Sequence, residues 1–398
     1  MTDAASERGM DAAALAAALR LTEPLAAADP SRIRVVRAPG RVNLIGEHTD
    51  YNEGFVLPCA IDLGISIALV PTDDRRVEVS LLASGERAGF DLDAIGPRTG
   101  GWIDYIAGMA WALDEAGVET RGFRGLLASD LPVGAGLSSS AAMELAAAFA
   151  LSGGAVPAMD RMALALTAQR AENRYVGVNC GLMDQFASTF GEPGAALLLD
   201  CRTLEHRTVP VPLADAALVV CHSGSPRRLQ ASAYNERRRQ CEAAVAAIAA
   251  SNPAVRSLRD VTLDMLATVG GVLDEVSRLR AEHVISENAR VQAVVEAFAA
   301  GDLAAAGRLF QASHVSLRDR YGVSSPELDA LVEIAMATPG VYGARLTGAG
   351  FGGCTINLVR TEAVPALRQA ILDQYPARTG LRPQVFEVEP SAGARVLA

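Results

Sequence analysis

The sequence predicts an α+β protein of two parts, and three observations carry this. Short stretches in the first part alternate apolar and polar residues as half-buried strands do, at Arg32–Ala38 and Arg76–Leu82. From Leu229 the period becomes helical, over 234–249, 272–300, 303–318 and 326–337. Strands then return at 341–346, 354–358 and 384–388 around a helix at 363–374, a closing β-α-β unit. At 398 residues the chain suits about two domains and a large core. A soft boundary near Val211 separates an N-terminal domain, 31–210, from a C-terminal domain, 211–398, with residues 1–30 as an N-terminal extension.

The remaining elements follow in order. Residues 12–28 read as an Ala-rich helix laid loosely on the body, and 55–58 and 61–70 as strand. A helix at 102–116 precedes a buried strand at 122–130, and Ala, Leu and Met make 141–151 a strong helix. An amphipathic helix at 161–175 leads to buried strands at 195–200 and 217–221. No internal repeat or low-complexity linker interrupts the chain.

Half the residues are hydrophobic and 21% are charged, as in a soluble globular protein. No uncharged apolar run approaches the ~18 residues of a membrane span. The first residues lack the apolar core of a secretion signal. A net charge of −10 without a basic tract argues against a nucleic-acid partner. The six cysteines form no CxxC pair and read as reduced thiols of a cytoplasmic protein. The five histidines include no HExxH spacing, which argues against a zinc site. No exposed apolar stripe stands out, so a monomer is expected.

The stretch that organises the chain is Leu131-Pro-Val-Gly-Ala-Gly-Leu-Ser-Ser-Ser-Ala-Ala142, between a strand and a helix. Gly134 and Gly136 let the backbone turn with positive φ and approach a ligand closely. Ser138, Ser139 and Ser140 place hydroxyls and unpaired N–H groups at a helix start, where the dipole favours an anion. The string is a phosphate cradle or, more plainly, a helix capped by serine. No Lys follows the second Gly as in a Walker loop, and the third Gly of the dinucleotide fingerprint is missing.

Three further clusters carry polar chemistry. Ala38 to Asn52 packs Arg41, Glu47, His48, Asp50 and Asn52 beside two glycines, a set able to bind adjacent hydroxyls, to hold a metal, or to sit in a solvated loop. Glu172 closes a helix, where its charge opposes the dipole unless a cation is bound, and Asp184 opens one, where its charge is favoured. Arg345-Leu-Thr-Gly-Ala-Gly-Phe-Gly-Gly-Cys354 is a four-glycine turn between strands. Turn chemistry accounts for two of those glycines, and close approach to a ligand or to the phosphate cradle for the rest.

In this order the motifs resemble those of the GHMP small-molecule kinases, most closely the galactokinase branch of that family. Gly40 to Asn52 is similar to its sugar signature, Pro132 to Ala142 to its phosphate loop, and Leu346 to Cys354 to its third motif. Cys180-Gly-Leu-Met-Asp-Gln185 and Tyr234-Asn-Glu-Arg-Arg-Arg-Gln-Cys241 resemble further segments, so the likeness runs from about Arg34 to the C-terminus. The resemblance implies two lobes with the active site between them, the first like ribosomal protein S5 domain 2 and the second ferredoxin-like. The four-glycine turn would back the phosphate loop from the second lobe.

By that resemblance, Glu47, His48, Thr49, Asp50, Gly181, Asp184 and Tyr234 line a sugar pocket. Gly134, Ala135, Gly136, Leu137, Ser138, Ser139 and Ser140 wrap the ATP phosphates, and Ser140 with Glu172 holds Mg²⁺. Trp102 lies near the adenine or, equally, in the core. The implied reaction is ATP-dependent phosphorylation of the galactose C1 hydroxyl to galactose 1-phosphate, as in Leloir-type galactose metabolism. Asp184 would accept the hydroxyl proton and Arg41 would stabilise the transferring group. A sister kinase for N-acetylgalactosamine or arabinose, and a galactose- and ATP-binding sensor without turnover, are the alternatives. Mevalonate or homoserine kinases of the family have no need of the Glu47–Asp50 cluster.

Overall fold

The structure is a computed structural model that describes residues 11–132, 134–225, 230–269 and 271–398. The first part carries strands β1 (Arg34–Asn43), β2 (Phe55–Val56), β3 (Pro58–Thr72), β4 (Arg76–Leu81), β5 (Arg87–Asp91), β6 (Gly122–Ser129), β7 (Ala195–Asp200) and β8 (His206–Pro210). The second part carries β9 (Ala216–His222), β10 (Val341–Thr347), β11 (Cys354–Arg360), β12 (Gln384–Val388) and β13 (Arg395–Val396). Val211 falls between β8 and β9.

A six-stranded sheet has the order β13-β1-β3-β6-β4-β5, in which only β4 and β6 run parallel. Its central strands are buried on both faces, which is why β3 reads as a nearly unbroken apolar run rather than an alternation. Pro58 opens β3, a position where a missing N–H does not break the ladder. The two-residue β13 brings the chain's end back beside β1, pairing Val36 with Val396.

One face of this sheet is covered by α1 (Ala12–Thr22), which a Pro at position 24 separates from α2 (Pro24–Ala28). The expected loose helix is packed: Leu15 and Leu19 are buried with Val35, Ala68, Val70 and Leu126. The other face receives α3 (Ile103–Glu115), α4 (Ser139–Leu151), α5 (Arg161–Arg170) and α6 (Met183–Phe190). In α4, Ala141, Ala142, Ala146, Ala147, Ala148 and Ala150 are all fully buried, so the helix sits centrally with apolar neighbours all round. A π-helical stretch, Ala171–Val176, continues α5.

The second sheet, in the order β10-β11-β9-β12, is antiparallel throughout. Its helices are α7 (Gln230–Ala249), α8 (Leu263–Thr268), α9 (Glu275–Ala299), α10 (Leu303–Ser316), α11 (Pro326–Met336) and α12 (Val364–Thr379). Leu331, Ile334, Leu367, Ile371 and Tyr375 of α11 and α12 pack on Val219 and Cys221 at one face. The residues of the opposite face, Leu218, Val220, Ile356 and Leu358, join the main core of the first part. Both parts therefore share one core, and the first motif touches the phosphate loop on one side and the four-glycine turn on the other. Strands β5, β8 and β13 were not anticipated from periodicity; each is short, and β5 and β8 alternate only weakly in burial.

Candidate active site

The glycine–serine loop leaves β6 and enters α4 as expected, with Gly134 at φ +70° and Gly136 at φ +76°. Ser138 is itself left-handed, at φ +59°, and makes no side-chain cap on α4. Its hydroxyl is buried without a partner among the described residues. The serine-cap reading is thereby overturned, and the first N–H groups of α4 remain available to an anion. Val133 lies outside the described residues.

The loop is tied to β1. The backbone N–H of Arg41 donates to the Leu137 carbonyl at 3.1 Å, and a Cβ on Gly40 would overlap that same oxygen. The Arg41 guanidinium, 5% exposed, donates from Nη1 to the Gly136 carbonyl at 2.7 Å. On its other side, Nε and Nη2 reach Asp184 Oδ1 at 2.9 and 2.7 Å. Asp184 stands in the first turn of α6, where the helix dipole favours its charge.

Asp50 faces Asp184 electrostatically and sits against Gly181, where any Cβ would overlap its carboxylate. Burial, with the nearby Asp184 charge, pushes the Asp50 carboxyl up to about 6. Tyr234 of α7 closes this group, its ring 5.7 Å from that of His48 and 5.2 Å from that of Tyr51. Asp50, Gly181, Asp184, Tyr234 and Arg41 thus meet at one place, although they come from four separate segments.

The other residues of the first motif are held by the protein. His48 Nε2 lies 3.2 Å from the Ala349 carbonyl and must be its donor, so Nδ1 accepts from Tyr51 Oη at 2.8 Å. Burial lowers His48 to about 3, which keeps the ring neutral in this tautomer. Tyr51 Oη in turn meets Tyr321 Oη at 2.7 Å. The Thr49 hydroxyl is buried against the carbonyls of Gly46 and Phe55, at 2.7 and 2.6 Å, and braces the loop. Glu47 is buried, with Oε2 on Arg345 and Oε1 accepting from Gly348 N–H at 3.0 Å. The four-glycine turn backs the first motif, through Gly348 and Ala349.

An acidic cluster lies beneath the phosphate loop. Gln185 Nε2 donates to Glu172 Oε2 at 2.6 Å and to Glu144 Oε2 at 3.1 Å. Cys180 Sγ also approaches Glu172 Oε2, at 3.4 Å, and the nearby Ser140 hydroxyl favours the ionised Glu172 carboxylate. Glu144 Oε1 is buried without a partner among the described residues. Burial raises both glutamates, with the Glu172 charge adding to the effect at Glu144 and the Asp184 charge at Glu172. Trp102, just before α3, donates its indole N–H to Glu86 at 2.9 Å and packs partly against the core.

Sequence reasoning missed Glu144, Gln185, Arg345, Glu287 and Tyr51. Glu144 had a signal, a lone carboxylate in an otherwise apolar helix. Arg345 had a weaker one, a charge inside the strand that feeds the glycine turn. Glu287 lies in the charge-rich α9, where nothing local sets it apart.

Comparison with known proteins agrees with this geometry. Three family models match: the galactokinase galactose-binding signature over residues 26–71, the GHMP kinases N terminal domain over 104–192 and the GHMP kinases C terminal domain over 294–377. A galactokinase of Roseiflexus sp. (strain RS-1) is 48% identical over 364 residues, 90% of this chain and 92% of the relative. One from Chloroflexus aurantiacus is 46% identical over 361 residues, with the same shares of 90% and 92%. The crystal structure of Lactococcus lactis galactokinase complexed with galactose superposes with a TM-score of 0.89 at 37% identity, covering 96% of this chain and all 100% of that one. Methanococcus jannaschii mevalonate kinase, at 20% identity and a TM-score of 0.65 over 89% of this chain and 98% of its own, shares the fold. The chain belongs to the galactokinase family of GHMP kinases and has that family's two-lobed α+β fold.

Proposed function

We propose that the chain transfers the γ-phosphoryl group of ATP to the C1 hydroxyl of galactose. The observation that carries the mechanism is the single guanidinium of Arg41 shared between Asp184 and the phosphate-loop carbonyl of Gly136. Asp50, Gly181, Asp184 and Tyr234 bind the sugar, with Glu47, His48 and Thr49 shaping the loop that presents Asp50. The C1 hydroxyl is set against Asp184, which accepts its proton as the oxygen attacks phosphorus. The backbone N–H groups of residues 134–140 take the phosphate oxygens, and Arg41 offsets the charge that spreads over them in transfer. Trp102 is assigned to the adenine side.

The acidic cluster fits a magnesium ion. Two buried glutamates with no cation beside them among the described residues, one with an unpartnered oxygen, are unfavourable unless a cation or protons compensate. Ser140 and Glu172 would hold the ion, an oxygen pair suited to a hard cation that also takes phosphate and water. When bound, the ion neutralises phosphate charge. Among the described residues no group of three His, Cys, Asp or Glu could hold a metal ion by itself.

Among the described residues no helix is long and apolar enough to cross a membrane. None of the six cysteines is in a disulfide, which is consistent with a reducing cytoplasm. We infer a cytoplasmic monomer with galactose and Mg-ATP as its partners, and neither nucleic acid nor membrane among them. The test is ADP release with Mg-ATP against galactose, N-acetylgalactosamine, arabinose, glucose and mevalonate. Turnover on galactose is the expected result. Turnover only on another sugar would move the substrate, and galactose binding without ADP release would point to a sensor.

A further inference from the structure

The sugar loop, Gly46 to Phe55, is braced from within by Thr49 and from the first part by Cys201 and Arg202. Its two ends and its Glu47 are also gripped from the second part of the chain. Glu287 Oε1 accepts from Gly46 N–H at 3.1 Å, and Asn288 Oδ1 accepts from Phe55 N–H at 2.9 Å. His283 Nε2 donates to the Glu47 carbonyl at 3.2 Å. Arg345 takes the Glu47 carboxylate directly. These contacts fix both ends of the loop and its acidic residue from α9 and β10. The phosphate loop is held differently, by Gly40 and Arg41 of β1.

Arg345 is the centre of this arrangement, and it is fully buried. Beyond Glu47, its Nη1 donates to the carbonyls of Asn43 and Leu44 at 3.1 and 2.9 Å, and its Nε to Ser313 Oγ at 3.2 Å. Glu287, also fully buried, lies 3.8 Å from Arg345 and is paired with Arg290 at 2.6 Å. Two guanidiniums thus balance two carboxylates, which is what allows Arg345, Glu47 and Glu287 to stay buried, with Arg290 at the edge. A planar fork serves partners in several directions at once, and a lysine ammonium of the same charge does not.

We propose that Arg345, with Asn288 and Glu287, is a positioning residue for sugar binding: it fixes Glu47 and so aims Asp50 at the Gly181–Asp184 site, without serving the nucleotide. The proposal rests on reading Glu47–Asp50 as the sugar loop. A displacement of about 1 Å in such a loop is enough to cost orders of magnitude in productive binding. The loss falls on the sugar because the clamp reaches β1 only at its last residue, Asn43, while the phosphate loop is held at Gly40 and Arg41 further back.

The test uses the full chain with Arg345→Lys and Asn288→Ala, measuring KM for sugar and for ATP separately and sugar affinity by calorimetry without nucleotide. Arg345→Lys is expected to raise the sugar KM by about tenfold or more, with Asn288→Ala nearer fivefold, the worth of one hydrogen bond. The ATP KM stays within about twofold in both, as the separate anchoring of the phosphate loop requires. Asn288 is only partly buried, so its variant decides the matter if Arg345→Lys does not fold. A sugar KM unchanged in a folded variant, a loss confined to kcat, or equal rises in both KM values would overturn the clamp. A wild-type chain that neither binds galactose nor releases ADP with it would overturn the sugar-loop reading instead.

Discussion

Arg41 and Asp184, 143 positions apart, form a two-pronged ion pair at 2.7 and 2.9 Å, and the third nitrogen of the same guanidinium holds the phosphate loop at Gly136. Asp184, the proposed proton acceptor, and the proposed phosphate loop are thus tied to one cation. Asp184→Ala removes the acceptor while Arg41 keeps its bond to Gly136. Turnover is expected to fall by about 10²–10⁴-fold, the usual share of a positioned base, with nucleotide affinity nearly unchanged. Steady-state rates beside ADP titration measure this. Substantial retained turnover would remove Asp184 from the mechanism.

Sugar binding should depend on pH through Asp50. Its carboxyl is pushed up to about 6 from an ordinary 3.8, first by burial and then by the charge of Asp184. The raised value means that the folded protein holds this proton above pH 4, so the contribution to stability is lost as pH rises through about 6. Sugar affinity runs the other way, because an ionised carboxylate makes the stronger bond to a hydroxyl. The sugar kcat/KM is expected to rise between pH 5 and about 7, as the Asp50 carboxyl ionises. Asp50→Asn should flatten that limb, and an unaltered profile would assign it to another group.

What the sequence disclosed and what it hid differ by the range of the interactions. The three loops were legible because glycines and charges stand out beside apolar strands, and local chemistry alone gives Gly134, Gly136 and Asp184 their places. The clamp was not. Glu287 and Arg290 look like the solvated face of a charged helix, and only the packing of α9 on the first motif, 241 positions away, buries Glu287 against Gly46. Ser138 misled in the opposite direction. A serine before an alanine-rich helix reads as a cap, yet its left-handed backbone takes the hydroxyl away from the helix N–H groups. The two-residue β13 carries too little pattern to announce itself, although it closes the edge beside β1.

Gly181 offers a test of the sugar pocket that leaves every functional group in place. A Cβ there would overlap the Asp50 carboxylate, with Asp50 Cγ only 2.6 Å away. Gly181→Ala must therefore displace Asp50 or the segment before α6. The sugar KM is expected to rise by about tenfold or more, since the charge-assisted bond depends on the position of Asp50. Thermal unfolding should change little, because Gly181 is half-buried and its φ is not in the left-handed region. A variant with unchanged sugar affinity would show that Asp50 does not need that contact to bind.

Glu172 is where the metal assignment can be tested. Its Oε2 is engaged by Gln185 and Cys180, and the nearby Ser140 hydroxyl favours the ionised form of the same carboxylate. Burial and Asp184 raise its carboxyl, a cost that a cation removes by favouring the ionised form. Glu172→Gln keeps the size but withdraws the charge. The Mg²⁺ concentration for half-maximal rate is expected to rise by about 10–100-fold, while metal-free ADP binding stays close to that of the parent chain. The same substitution should raise thermal stability in the absence of metal, because an unfavourable buried carboxyl is replaced by a neutral amide. Titration of Mg²⁺ in the rate assay, beside melting curves without metal, separates the two effects. An unchanged metal requirement would show that Glu172 is no ligand, whatever the melting curves give.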